Sequence, residues 1–290
     1  MNVGLVYHPA AGGGVSPEEL TLTLSRQGYN VVVTMDHVED ASRLHQHNVQ
    51  LMVVAGGDGT ISRAALALQN TDLPLGILPM GTANNIATTL GISSDPEELM
   101  QRWRAAELLK LDVGLFKQGS SSRFFVEGTG GGLLPAGIAA MDAEPRDETH
   151  DPADSIRRAI RTYRRVFASL GARPIHLTLD GEDSEESLLL LEILNIKSVG
   201  SQVVLSLHTE PDDGFLSVVT AGEAQRHEID TYLERRLNGI VGHLPLPVRR
   251  ARHVKVRGWD AMHVDDEVRG TNADEEIEIQ VVEGAVNVLV

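Results

Sequence analysis

The sequence contains no cysteine and no long apolar run. The absence of cysteine excludes disulfides, thiolate metal sites and cysteine nucleophiles. The most apolar run, from Ser187 to Ile196, is too short to span a bilayer and carries Glu192. The first residues have neither the basic region nor the cleavage site of a signal peptide. We therefore expect a soluble, cytoplasmic protein, for which peripheral contact with a membrane stays open.

Basic residues are scarce as well. Lysine and arginine total 25 against 41 aspartates and glutamates, so the 290-residue chain carries a formal net charge of −16. Nucleic-acid binding needs a basic surface, and this charge balance argues against a nucleic-acid partner. Small anions stay open as ligands, because backbone N–H groups bind them without any charged side chain.

The pattern of strands and helices changes after Asp112. Before it, apolar strands at 3–7, 29–34, 51–55 and 75–78 alternate with helical segments, including 20–27, 40–47 and 61–68. That alternation predicts a parallel sheet covered by helices on both faces. After it, strands predominate and only 152–170 and 228–238 look helical, which is typical of an antiparallel sandwich. We predict an α/β domain over 1–112 and a β-sandwich domain over 113–290.

Two glycine-rich loops follow strands of the first domain. One runs from Gly56 to Thr60; the other runs from Pro79 to Thr82 and opens a helix that Thr82 or Asn84 could cap. Glycine permits positive φ and a close approach of the backbone to a ligand. The helix that follows presents N–H groups and a positive dipole end, which suits phosphate.

A third glycine turn, at 12–14, follows the first strand, so the three loops predict a polyphosphate cradle at one sheet edge. The first loop alone fits an ordinary strand–helix turn equally well. Neither a P-loop nor a dinucleotide fingerprint is present.

The two loops resemble those of the diacylglycerol kinase catalytic domain family of lipid kinases, which is related to sphingosine kinases and NAD kinases. The resemblance continues at 111–114, at Glu-Pro-Asp-Asp-Gly-Phe-Leu over 210–216, and at Val-Asp-Asp-Glu over 264–267. NAD kinases and phosphofructokinases share a similar first loop, so the second loop and the late Asp-Asp-Gly carry the distinction. The resemblance implies an N-terminal nucleotide-binding domain, a C-terminal β-sandwich, and an active site in the cleft between them.

The resemblance also implies roles for individual residues. For ATP it implies Thr34, Gly56, Gly57, Asp58, Gly59, Thr60, Ile61, Ser62, Gly81, Thr82 and Asn84. For a metal ion it implies the Asp213 carboxylate, with carbonyl oxygens of Glu210 and Phe215. It identifies Asp265 as the base, with Glu267 beside it in the catalytic motif.

Elementary chemistry agrees with these roles. Phosphoryl transfer depends mainly on positioning and charge neutralisation. Mg²⁺ prefers oxygen ligands and keeps several waters. Asp58, which stands in the phosphate loop, is therefore placed to reach Mg²⁺ through water. A lipid hydroxyl needs a carboxylate to accept its proton. Asp265, Asp266 and Glu267 are consecutive, and crowding of like charges would raise a pKa and favour a base. Without the resemblance, a solvated hairpin tip is the better interpretation of these three acids.

Three residues depart from the family pattern. His8 stands where the family has asparagine, and it titrates. Glu127 also replaces an asparagine, where a carboxylate would add a metal ligand or repel phosphate. Asp266 replaces the middle glycine of the last motif, which puts the base geometry in doubt if that position needs a positive φ.

One predicted helix combines apolar and basic residues. From Ile156 to Phe167 it carries five arginines, and Ile156, Ile160, Tyr163 and Phe167 form one stripe. A basic amphipathic helix can lie on an anionic bilayer, and that is one hypothesis for reaching a lipid. The alternative, which we favour, is an ordinary helix packed on the sandwich with solvated arginines.

The expected function is an ATP- and Mg²⁺-dependent lipid kinase that phosphorylates a lipid hydroxyl, of diacylglycerol or a related lipid. One alternative is an NAD-kinase-like enzyme with a soluble acceptor. The other is a non-catalytic regulator that binds nucleotide or lipid, which the three departures make plausible. The sequence does not identify the lipid, and it leaves a homodimer open.

Overall fold

The computed structural model describes residues 1–8, 15–36, 47–92, 95–144 and 151–290. It divides into two compact units, one formed by 1–112 with 283–290 and the other by 113–282. Two predicted features lie outside the described residues: the glycine turn at 12–14 and nearly all of the helix at 40–47.

Unit 1 contains a parallel sheet with the order β2-β1-β3-β4. Its strands and helices are β1 (Asn2–Tyr7), α1 (Pro17–Arg26), β2 (Asn30–Met35), β3 (Leu51–Gly56), α2 (Asp58–Ala67), β4 (Leu75–Pro79), α3 (Asn85–Thr89) and α4 (Pro96–Arg102). The two central strands are fully or almost fully buried, which is why their sequences are continuous apolar runs. Helices α1 and α4 pack on the sheet through a core that includes Leu24 and Trp103.

The first helix begins and ends where its sequence indicates. Ser16 and Glu19 form a capping box, since each side chain accepts a hydrogen bond from the other residue's backbone N–H. Pro17 occupies the first turn, and Gly28 takes a φ of +81° just beyond the helix. Sequence analysis missed α4, although Asp95 caps its first turn.

Unit 2 contains the remaining strands and helices. They are β5 (Leu108–Gln118, which begins in unit 1), β6 (Ser121–Phe125), β7 (Gly128–Gly132), α5 (Leu133–Asp142), α6 (Pro152–Phe167), β8 (Arg173–Leu179), β9 (Glu182–Leu188), β10 (Leu190–Leu194), β11 (Ser198–Val199), β12 (Val203–Val204), β13 (Leu216–Ala221), α7 (Arg226–Leu237), β14 (Val248–Ala251), β15 (His253–Arg257), β16 (Ala261–Val264), β17 (Glu267–Gly270) and β18 (Ile277–Leu289, which ends in unit 1).

An antiparallel six-stranded sheet, ordered β14-β13-β10-β7-β16-β17, is the centre of unit 2. One of its faces packs on β8, β15 and the start of β18 through a core that includes Val218, Val254 and Ile279. Helices α5, α6 and α7 cover the other face through Leu134, Tyr163 and other buried side chains. The predicted fold class, an α/β domain followed by a β-sandwich, is confirmed.

The last eight residues, 283–290, lie in unit 1, although the predicted second domain, 113–290, includes them. Val288 pairs with Leu75 of β4, and the backbone N–H of Gly284 donates to the Asp112 carboxylate at 2.7 Å. Leu289 packs into the core of unit 1. The apolar alternation of β18 shows that a strand is present, but it does not show which strand pairs with it.

Strand β7 is also absent from the prediction. It consists of Gly-Thr-Gly-Gly-Gly, is wholly buried, and pairs with β10 on one side and β16 on the other. Glycine normally counts against a strand interior. Here the glycines leave room for side chains of other elements, because a Cβ at Gly131 would lie 2.5 Å from the Trp259 ring.

Candidate active site

All four parallel strands of unit 1 end at the same edge of their sheet. Tyr7 pairs with Ala55, and Gly56 pairs with Pro79, so both glycine-rich loops leave from neighbouring strand ends. Helix α2 begins at Asp58, directly after the first loop, with Gly57 as its N-cap. The first N–H groups of α2 therefore lie at the edge where ligands of parallel sheets bind.

The two loops touch through their backbones. The N–H of Met80 donates to the carbonyl oxygen of Gly56 at 2.9 Å. A Cβ at Gly81 would lie 2.4 Å from the Cα of Gly57, so a side chain there would force the loops apart. Neither glycine takes a positive φ. The freedom to adopt positive φ is therefore not used at these two glycines, which are needed here for the close approach.

Asp58 holds the start of α3. Its Oδ1 accepts a hydrogen bond from the N–H of Ile86 at 3.0 Å. Burial raises the pKa of Asp58, and hydrogen bonds from the amides of Ile86, Asn85 and Asn84 partly offset that rise. The carboxylate thus links the first loop to the second.

Thr82 and Asn84 do not cap α3 as predicted. Asn84 is the N-cap residue, with a φ of 51°. However, its side-chain oxygen accepts a hydrogen bond from the N–H of Gly81 at 2.9 Å, and its side-chain nitrogen donates to the carbonyl of Gly81 at 3.0 Å. The Asp58 carboxylate caps α3 instead. The local sequence does not indicate this contact, because Asp58 and Ile86 are 28 residues apart. Thr82 is exposed at the loop surface.

The other predicted nucleotide contacts differ in accessibility. Ile61 is fully buried, and Thr60 and Ser62 are 8% and 5% exposed. A nucleotide would therefore meet mainly the backbone of this turn, including Gly59, rather than these side chains. Thr34 is exposed near the end of the edge strand β2, paired with Leu5 of β1.

In unit 2, one edge of the six-stranded sheet gathers the other predicted residues. Strands β10, β14 and β16 end at this edge, and β7 and β13 begin there. Glu127 therefore lies just before β7, Phe215 just before β13, and Asp265 just after β16. Asn195, just after β10, donates from its side chain to the carbonyl of Val126 at 3.0 Å.

Asp265 is fixed at this edge by backbone groups. Its Oδ1 accepts hydrogen bonds from the N–H groups of Glu127 and Gly128 at 2.8 and 3.2 Å, and its Oδ2 accepts one from Val126 at 3.2 Å. Its own N–H donates to the carbonyl of Gly128 at 2.8 Å. The positive φ of the turn, 50°, falls on Asp265 and not on Asp266. The expected strain from aspartate at 266 is therefore absent.

The three acids of the last motif do not form the predicted cluster. The Asp265 carboxylate turns towards the amides before β7, whereas Asp266 and Glu267 are exposed. Glu267 lies 3.6 Å from Arg269 in an ion pair. Crowding of like charges is thus not what would make Asp265 a base.

The predicted metal ligands are engaged with cations of the protein itself. Oδ2 of Asp213 accepts a hydrogen bond from the Arg250 guanidinium at 2.5 Å, and Oδ1 accepts one from the N–H of Phe215 at 3.0 Å. Arg250 and Arg252 lie over the Phe215 ring at 4.2 and 4.5 Å. Glu210 is exposed. A guanidinium thus occupies one oxygen of the one carboxylate of the set, and the metal site at these residues stays a prediction.

No other metal site replaces it within the described part of the chain, where no group of three or more His, Asp or Glu could hold an ion. Glu127 is buried and holds Asp265 and Asn195 through its backbone. Sequence analysis missed two functional candidates next to it, Glu192 and His263, which form a buried pair with 2.8 Å between Oε2 and Nε2. A charged residue inside an apolar strand was the available signal for Glu192.

Helix α6 packs as an ordinary helix. Its apolar residues Ile160, Tyr163 and Phe167 are buried in the core of unit 2, and Ile156 packs against that core. Arg158 and Arg165 both pair with Glu144, and Arg164 pairs with Asp230 and Glu234. The stripe that a bilayer would have to cover is therefore already covered. Among the described helices, none is long and apolar enough to cross a membrane.

Two family models match the chain. The diacylglycerol kinase catalytic domain matches residues 2–116, and the YegS C-terminal NAD kinase beta sandwich-like domain matches residues 132–290. The chain belongs to the diacylglycerol kinase catalytic domain family. Its first domain is the family's catalytic domain, and its glycine-rich loops lie within the matched residues.

Diacylglycerol kinases are similar to the chain at low identity. A diacylglycerol kinase of Staphylococcus saprophyticus is 24% identical over 284 residues, which are 92% of this chain and 88% of that protein. One of Mycobacterium tuberculosis is 26% identical over 184 residues, and the chain spans only 57% of its length. A crystal structure of a diacylglycerol kinase from Bacillus anthracis covers 99% of this chain and 96% of its own, with a TM-score of 0.70 and 18% identity. That likeness shows the shared fold.

Proposed function

We propose that this kinase transfers the γ-phosphate of ATP to the hydroxyl of a lipid, diacylglycerol or a lipid of similar shape. The membership in the diacylglycerol kinase family supports a phosphotransferase with an alcohol acceptor. The observation that carries the proposal for the reaction itself is the Asp265 carboxylate, held by three backbone N–H groups at a sheet edge.

The loops of unit 1 are proposed to hold the nucleotide. The N–H groups at the start of α2 would bind the phosphates, which need donors rather than charged side chains. The exposed hydroxyls of Thr82 and Thr34 would contact the rest of the nucleotide. The half-buried Asp58 keeps the two loops at a fixed distance, which is the positioning that phosphoryl transfer requires.

Asp265 is proposed to accept the proton of the lipid hydroxyl as the oxygen attacks the γ-phosphate. Its backbone and carboxylate bonds fix where that oxygen acceptor lies. Mg²⁺ would arrive with ATP as part of the substrate, and we assign it no ligands at Asp213. The use of ATP and a lipid acceptor leads us to propose a cytoplasmic protein that meets its lipid at the membrane surface.

The test is a kinase assay with labelled ATP, vesicles that contain one candidate lipid each, and product identification by mass spectrometry. Diacylglycerol, a sphingoid base, phosphatidylglycerol and a polyprenol cover the main hydroxyl types, and NAD serves as the soluble acceptor. We expect a phosphorylated lipid and no NADP. Phosphorylation of NAD alone would favour the NAD-kinase-like alternative, which the sandwich-domain match keeps open. ATP binding without transfer to any acceptor would favour a regulator.

A further inference from the structure

A charged pair is buried in the middle of the six-stranded sheet. Glu192 pairs in register with Gly130, and Gly130 pairs with His263, so the three residues form one row across β10, β7 and β16. The side chains of Glu192 and His263 are 0% and 1% exposed. Charged groups this deep are rare in proteins unless they are paired.

Gly130 allows the two side chains to meet. They come from strands that are not neighbours, since β7 lies between them. A Cβ at Gly130 would lie 2.4 Å from Oε1 of Glu192 and 2.5 Å from its Cδ. Because position 130 carries no side chain, Glu192 reaches across it and places Oε2 at 2.8 Å from Nε2 of His263.

The second ring nitrogen of His263 contacts Asp265. Its Nδ1 lies 2.8 Å from the carbonyl oxygen of Asp265. A carbonyl oxygen only accepts hydrogen bonds, so Nδ1 must carry the proton. Nδ1 carries a proton whether the proton between Nε2 and the Glu192 carboxylate belongs to His263 or to Glu192. His263 therefore acts as a fixed donor to the backbone of Asp265.

The surroundings keep this pair together. Burial alone would lower the pKa of His263, but the nearby Glu192 and the bonds to Glu192 and Asp265 outweigh it and raise that pKa. Burial raises the pKa of Glu192, which His263 partly offsets. Tyr163 of α6 and Glu127 face the same region, and burial, Glu192 and Glu127 together raise the pKa of Tyr163. No other ion pair in the described residues is buried to this extent.

We propose that Glu192 and His263 are positioning residues that hold Asp265 in the conformation needed for proton transfer. Asp265 has a φ of 50°, which aspartate adopts less readily than glycine, so the turn needs an external constraint. His263 constrains its carbonyl, and Gly128 constrains its N–H. The inference rests on the proposed function, because Glu192 and His263 affect the reaction only by holding Asp265.

Two substitutions of His263 separate the proposed role from simple packing. In His263→Asn, the amide nitrogen can occupy the place of Nδ1 and keep a donor towards Asp265. In His263→Gln, the amide nitrogen lies nearer the place of Nε2, which keeps a contact with Glu192 and loses the donor to Asp265. His263→Asn therefore loses the contact with Glu192, and His263→Gln loses the contact with Asp265.

Activity and hydrogen exchange are measured together. We expect kcat of His263→Gln to fall about tenfold or more with little change in KM for ATP or lipid, and His263→Asn to stay within about threefold of wild type. Exchange of the Asp265 amide should speed up in His263→Gln and not in His263→Asn. The matched control is His253→Gln, since His253 forms a half-buried pair with Glu278 at the same 2.8 Å distance.

The wild-type protein provides a measurement that needs no variant. Spectra of ¹⁵N-labelled histidine should show one residue with a protonated Nδ1 from about pH 5 to about pH 9. An unprotonated Nδ1 at His263 overturns the proposal, as does equal loss of exchange protection in both His263 variants. Loosening of the turn in His263→Gln, combined with full activity of Asp265→Asn, would support the positioning and reject the proposed base.

Discussion

Asp58 and Asp265 use a carboxylate in the same way, although they lie in different units. Each lies just after a strand, Asp58 as the first residue of α2 and Asp265 in the turn after β16, and each accepts hydrogen bonds from backbone N–H groups of another segment. A carboxylate has room for about four hydrogen-bond donors, so one short side chain can fix a whole turn. At the residue scale, both candidate sites are thus built from backbone amides and half-buried acids.

The buried Glu192–His263 pair makes stability depend on pH. The folded pair keeps a proton that an unfolded histidine, with an ordinary pKa of 6.5, releases, because the pKa of His263 is raised. The stabilisation is therefore complete below that ordinary pKa and is lost as pH rises through the folded pKa. We expect the free energy of unfolding in urea to fall as pH rises above about 6.5.

The variant Glu192→Gln should lack this loss, because a neutral partner no longer raises the pKa of His263. Glu278→Gln, which alters the half-buried pair with His253, should retain it. Identical pH profiles for wild type and Glu192→Gln would contradict the account of the buried pair.

Residue roles were predictable from the sequence only where a local motif marks them. The loop from Gly56 and the Asp265 turn were identified from their motifs and lie where strands end. Glu192 and His263 are 71 residues apart, and their contact depends on strand order. Nothing local indicates that Asp58 caps a helix in another loop, or that Arg250 occupies Asp213.

At the scale of elements, the glycine-rich loops depend on backbone contact. A methyl group at Gly81 would meet the backbone of Gly57, which cannot move as a flexible side chain can. We expect Gly81→Ala to weaken ATP binding about tenfold or more, because overpacking of this kind costs about 1–3 kcal/mol. Equilibrium binding of ATP, followed by calorimetry, measures the change.

Gly242→Ala is the control, since a Cβ there meets nothing within 4 Å. Unchanged ATP affinity in Gly81→Ala would show that the loop contact does not shape the nucleotide site.

Helices and strands were predictable from the sequence where their composition is ordinary, as for α1 and β3. The acidic strand β9 and the glycine strand β7 were not, because tertiary packing overrides their low strand propensity.

At the scale of the whole molecule, a net charge of −16 is combined with a helix that carries five arginines. Four of them pair with acidic side chains, and three of these four, Arg158, Arg164 and Arg165, do so with residues outside the helix. We expect the triple Arg→Gln variant to co-sediment with anionic vesicles to the same extent as wild type, since the apolar side of the helix is buried. A loss of vesicle binding in that variant would restore the membrane hypothesis.

The fold class and the change after Asp112 were predictable, because strand and helix periodicities differ on the two sides of it. The return of residues 283–290 to unit 1 was not, since it depends on which strand pairs with the end of β18.

The most direct test of the account compares Asp265→Asn with Asp266→Asn in the lipid kinase assay. The two residues are adjacent and chemically identical, but only the first has its carboxylate held by the amides before β7. We predict that kcat/KM for the lipid falls about a hundredfold or more in Asp265→Asn and stays close to wild type in Asp266→Asn. Full activity in Asp265→Asn, or equal losses in the two variants, would contradict the proposed role of Asp265.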